Sequence, residues 1–175
     1  MQQVNTHMVI THKEATKTFL LGHYLDWADN ISASKLNKSL IGKIIISTLQ
    51  PIAKIIENII IATDTEYLDY VKHLPQILRK FILLSVFYAN LVPPNNIHRD
   101  KKDAKWCFIF PFGSCTRTGL HLPYCNAYIT MNVTDLIMLN SRNIWHAAEQ
   151  YTPPRKTRFS GILTAHSGLI NKFIP

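Results

Sequence analysis

The sequence predicts an α+β fold in which a jelly roll of short strands carries helices on one face. Apolar residues recur at helical spacing between Lys38 and about Phe81, and after Leu78 the texture changes to short runs rich in β-branched and aromatic residues. Turn-forming clusters separate those runs, which is the pattern of a sandwich or jelly roll rather than of a helical bundle. At 175 residues the chain is one domain, with 1–80 mainly helical support and 81–175 the β core.

The helical part reads as three segments. Leu40, Ile41, Ile44, Ile45, Thr48 and Leu49 make one apolar stripe, and Pro51 can open a second helix whose stripe is Ile52, Ile55, Ile56, Ile59 and Ile60. So many isoleucines leave strands open there as well. The third follows Thr65, whose hydroxyl can cap EYLDYVKHL, and Leu74-Pro75 breaks it. Then come the strand candidates FILLSVFYANLV, WCFIFPF, LHLPYC, AYITM, DLIMLN, IWHAA and TRFSGILTAH. Between them stand PPNN, FGSCTRTG, CNA, NVTD, SRN and YTPPRK.

Composition narrows the class. Lys and Arg outnumber Asp and Glu by 19 to 11, a net charge of +8, which favours an anionic partner, nucleic acid first, without fixing a fold. Cys107, Cys115 and Cys125 form no C-x-x-C and are odd in number, so neither a zinc knuckle nor a disulfide framework is signalled. Reduced thiols, an N-terminus without an apolar leader and no uninterrupted apolar run of membrane-spanning length predict a soluble protein of the nucleus or cytoplasm.

The chemistry gathers around NNIHRD. In extended backbone His98 and Asp100 project from one face and can reach a single point, with Arg99 turned away. One imidazole and one carboxylate are two corners of the 2-His-1-carboxylate triad that holds Fe(II) with open positions. Chance alone supplies roughly 0.3 such His-x-Asp spacings in this composition, so the pair needs support. His146, inside the apolar IWHAA, offers the second imidazole, and Arg158 with Ser160 two positions on offers a fork and a hydroxyl for a carboxylate. Each has a plainer reading: a polar turn after Pro93-Pro94, a satisfied core histidine, a surface cation. It is the ordered combination H-x-D, H, R-x-S that favours a metal. HRD also occurs in protein-kinase catalytic loops, but no glycine-rich loop, D-F-G or correctly spaced asparagine accompanies it.

From HRDKKDAKWCFIFPFG to TRFSGILTAH, residues 90 to 166 resemble the double-stranded β-helix core of Fe(II)- and 2-oxoglutarate-dependent dioxygenases, and most closely the TET/JBP-like branch found in fungi. The resemblance rests on H-x-D-x-x-D, W-C-x-x-F-P-F-G, L-x-L-P, the distal histidine and R-x-S; FLLGHYLDW matches the family's lead-in loosely. It implies iron on His98, Asp100 and His146, 2-oxoglutarate held by Arg158 and Ser160 with Asn90 at its inner carboxylate, O2 as co-reactant, and oxidation of a 5-methylcytosine-type base in DNA. A protein or small-molecule substrate, or a jelly-roll domain that binds without turnover, are the alternatives. The chain departs from the family in CTRTG, which keeps only Gly119, and NVTD, which keeps only Asp135; both touch loop shape rather than ligands. Trp106, Phe108, Phe110 and Trp145 read as core, His121 as exposed, and Lys101, Lys102 and Lys105 as a solvated face near the mouth of the site.

Overall fold

The structure, a computed structural model, describes residues 8–11, 16–26, 28–90, 96–113, 117–149 and 158–175. The Pro93-Pro94 turn, Cys115 and the YTPPR stretch lie outside the described residues, as do the side chains of Asn90 and Arg158.

Two antiparallel sheets face each other, as expected of a double-stranded β-helix. The strands are β1 (Met8–Thr11), β2 (Thr16–Leu25), β3 (Ile31–Ala33), β4 (Val86–Asn90), β5 (Asp103–Gly113), β6 (Arg117–Leu122), β7 (Ala127–Asn132), β8 (Ile137–Leu139), β9 (Ala147–Ala148) and β10 (Arg158–His166). The larger sheet runs β1-β2-β4-β10-β5-β8, with β3 paired to β2, and the smaller runs β7-β6-β9. Three strands thus precede the helices, so the first 80 residues contribute to the main sheet as well as covering it. FLLGHYL, loosely matched as a lead-in, is the body of β2.

The period of two in each strand sorts the side chains by layer. Phe87 and Ala89 of β4, Phe108 and Phe110 of β5, and Leu163 and Ala165 of β10 pack in one cluster with the helices. Cys107 and Ile109, of opposite parity on β5, pack instead with Leu120, Leu122 and Met131 of the smaller sheet. Trp106 is half-buried against the first cluster, whereas Trp145, expected in the core, belongs to neither cluster.

The isoleucine-rich stretch forms one helix, α1 (Leu40–Thr63), not two. One of its free N-terminal amides is capped by Ser39, whose Oγ accepts from Gly42 N at 3.0 Å. Pro51 sits inside it and is exposed. A proline interrupts the backbone ladder at roughly 3 kcal/mol. Leu49 before it, and Ala53, Ile56 and Ile60 after it, are all buried in the core cluster, so packing holds both halves in line. At 24 residues and mean hydropathy 1.6, α1 has the length and composition of a membrane span, which counting uninterrupted runs did not reveal.

The cap of α2 (Thr65–Lys72) is Asp64 rather than Thr65: Asp64 Oδ1 accepts from Tyr67 N at 3.0 Å. Its other oxygen accepts from Trp106 Nε1 at 2.8 Å and Lys105 Nζ at 2.5 Å, tying both helices to β5. Lys105 therefore faces the helices, not the mouth of the site. Leu74-Pro75 ends α2 as expected, and a short helix α3 (Ser167–Asn171) follows β10.

Candidate metal centre and pocket

His98 and His146 form an isolated antiparallel bridge in which each backbone N–H donates to the other's carbonyl at 2.9 Å. Two residues later Asp100 N donates to Ser141 O at 3.0 Å, so the turn before β5 and the segment after β8 are laced together at the site. Backbone pairing of this kind sets the side chains without help from a ligand.

One donor atom from each of His98, Asp100 and His146 lies within 4.8 Å of the others. His146 Nε2 stands 3.4 Å from Asp100 Oδ2, and His98 Nε2 3.9 Å from Asp100 Oδ1. Each imidazole is oriented through its other nitrogen: His98 Nδ1 to Asn96 O at 2.7 Å and His146 Nδ1 to Ile144 O at 2.9 Å. A carbonyl only accepts, so both Nδ1 atoms carry a proton and both Nε2 atoms face the carboxylate, where a metal ion would take their lone pairs. Burial opposes charging His146, but its contact with the Asp100 carboxylate and its bond to Ile144 outweigh burial and raise its pKa. Two imidazole lone pairs and one carboxylate on one side of a point fit a divalent iron of the facial-triad kind.

Behind the three donors a cavity of about 470 Å³ opens between the sheets. Tyr88 of β4 and Ser160, Ile162, Thr164 and His166 of β10 line it from the larger sheet, and Leu120 and Ala148 from the smaller. Ser160 is buried in this wall and sits opposite Asn90 in register, while Arg158 pairs with Gly113 two positions earlier in β10. The expectation for the Arg158 fork and the Asn90 amide lies outside the described side chains.

Sequence reasoning gave no role to Asp103, Tyr88 or His166, yet all three line the cavity. Burial, reinforced by Asp100, pushes the Asp103 carboxyl up to about 7, against hydrogen bonds from Ser141 and Thr164. Ser141 Oγ donates to Asp103 Oδ2 at 2.5 Å. Burial, with Lys102 adding to it, takes His166 down to about 4, while burial moves the Tyr88 phenol well above its ordinary range. Tyr88 Oη and His166 Nε2 are 2.9 Å apart, and His166 Nδ1 is buried without a partner among the described residues. A neutral acid, a neutral imidazole and a phenol are groups that read a polar ligand by hydrogen bonds. The parity of β10 was the signal available: His166 is three alternations from Ser160.

One other expectation changes. Arg99 does not turn away from the site but lines the cavity, its Cζ 4.7 Å from the centroid of the Trp145 ring. His121 is exposed, as expected.

No protein-family model matches the sequence, and no curated protein matches it either. Among solved structures the chain is similar to NgTET1 of Naegleria in complex with 5mC DNA, with a TM-score of 0.76 and 17% identity. The match covers 86% of this chain and 61% of that one, so the chain spans less than two thirds of its neighbour's length. The likeness is one of fold.

Proposed function

We propose that this chain is an Fe(II)- and 2-oxoglutarate-dependent dioxygenase that oxidises a methylated base in nucleic acid. The observation that carries the reading is the convergence of His98, Asp100 and His146 donor atoms within 4.8 Å at the mouth of a cavity. His98, Asp100 and His146 would hold the iron. Arg158 and Ser160 would hold the distal carboxylate of 2-oxoglutarate, with Asn90, the register partner of Ser160, at the inner one. When bound, iron, cosubstrate and O2 supply the oxidising chemistry.

The chain's own residues bind and orient. The apolar walls from Cys107, Ile109, Leu120 and Ile162 exclude water, and an unstacked base entering there would meet hydrogen-bonding groups on Asp103, His166 and Tyr88. Support for a nucleic-acid substrate comes from the net charge of +8, the exposed Lys101 in the cavity wall, and a fold neighbour that was solved with 5mC DNA.

The test is mass spectrometry of methylated DNA incubated with protein, Fe(II), 2-oxoglutarate and ascorbate, beside an Asp100→Ala control. Oxidised base in the wild type and none in the control supports the reading. Succinate without oxidised base points to another substrate, and no Fe(II) binding under anaerobic titration points to a binding domain without turnover.

A further inference from the structure

Arg99 and Trp145 each adjoin a metal-donor residue in the sequence, His98 and His146, and Arg99 lines the cavity behind the donors. The Arg99 guanidinium lies 4.7 Å from the Trp145 centroid, and the Trp145 ring lies 5.8 Å from that of Tyr124. Arg99 is part of the cavity wall, so these three planar groups lead outward from it. Tyr124 stands at the far end, 77% exposed, on the turn between β6 and β7.

A packing role does not account for this row. Neither Tyr124 nor Trp145 joins either hydrophobic cluster, and Arg99 Nε has no hydrogen-bond partner among the described residues. The indole face is what holds the guanidinium there. The Tyr124 ring, open to solvent and tilted 50° to the half-buried Trp145, next to Arg99 and the exposed Lys101, matches a partner made of flat rings strung on negative charge. Within a duplex each base has both faces covered by its neighbours, so only an unpaired, unstacked base can lie on Tyr124.

Resting on the nucleic-acid reading above, we propose that Arg99, Trp145 and Tyr124 form a stacking shelf for the base adjacent to the one in the cavity, so that the substrate strand is engaged unpaired. Arg99 and Lys101 meet the backbone of that strand, and Tyr124 takes the base. These residues position the strand; they touch neither the metal donors' ligand atoms nor the reacting carbon.

The test is a fluorescence-anisotropy titration of the full chain with a labelled single-stranded oligonucleotide carrying one 5-methylcytosine, and with the same strand annealed to its complement. Tyr124→Leu keeps apolar bulk without the ring, and Tyr124→Phe keeps the ring; at so exposed a position both should fold, which circular dichroism checks. The shelf predicts about a tenfold loss of single-strand affinity in Tyr124→Leu, no change on the duplex, and wild-type binding in Tyr124→Phe. Equal single-strand binding by Tyr124→Leu, an equal loss on both forms, or a loss in Tyr124→Phe overturns it. Wild-type binding to duplex alone removes the shelf and leaves the nucleic-acid reading standing; binding to neither form removes both.

Discussion

At the scale of single residues, the site turns on which nitrogen of each imidazole is free. Asn96 and Ile144 carbonyls take the Nδ1 protons of His98 and His146, so the Nε2 atoms are committed to whatever sits beside Asp100. Replacing the shared carboxylate should therefore remove the centre and leave the frame: Asp100→Asn is expected to weaken Fe(II) or Co(II) binding more than about a hundredfold, beyond what outer-sphere changes give, with an unaltered circular dichroism spectrum. Calorimetric titration under argon reads the loss. Asp103 supports a different test. Its folded pKa of about 7 lies above the ordinary 3.8, so its contribution to stability is complete below pH 4 and is lost as pH rises through 7. Asp103→Asn has no such loss. Measured by urea unfolding without metal, the variant should gain on the wild type by about 2 kcal/mol between pH 5 and pH 8. A difference independent of pH would contradict the buried, protonated carboxyl.

At the scale of elements, the site depends on where β2 changes partner. It pairs with β4 from Thr18 to Gly22 and with β3 from His23 to Leu25. Gly22 makes the switch with φ +112°, its N–H donating to Asn37 Oδ1 at 2.8 Å and its carbonyl accepting from Asn37 Nδ2 at 3.0 Å. A Cβ there would lie 2.0 Å from Ser85 O, on the backbone leading into β4. Gly22→Ala combines a disfavoured φ with a clash that no side chain can relieve, and should cost about 3 kcal/mol or more in a urea midpoint measurement. The boundaries of β7 and β10 were legible because alternation and turn residues agree locally, whereas β5 begins three residues before WCFIFPF and β6 lies three residues before LHLPYC at both ends. The single α1 was not legible: proline's local preference argues for a break, and only burial of Leu49, Ala53, Ile56 and Ile60 in one core cluster overrides it.

At the scale of the whole molecule, charge decides how a partner arrives. A net +8 attracts phosphate from a distance, but counterion release makes that attraction fall with salt. If single-stranded nucleic acid is the partner, log affinity should fall linearly with log salt, and Lys101→Ala should flatten the slope by about 0.7 if that lysine meets one phosphate. Salt-insensitive binding would point to a protein or small-molecule substrate instead. The two sheets also explain why a fold can persist at 17% identity: the wall positions are set by parity, and many side chains satisfy them.

The sequence by itself determined the strand periodicity, the antiparallel β core with its helical cover, and the His98-x-Asp100 pair, because these are written in neighbours a few residues apart. Tertiary structure alone decided the rest. The placement of Asp103, Tyr88 and His166 in the cavity, the stack of Arg99 on Trp145, and the capture of Lys105 by Asp64 all join residues from separate elements. Local spacing carries the direction of a side chain within its own strand, but what that side chain meets is fixed only when another strand or helix is packed across from it.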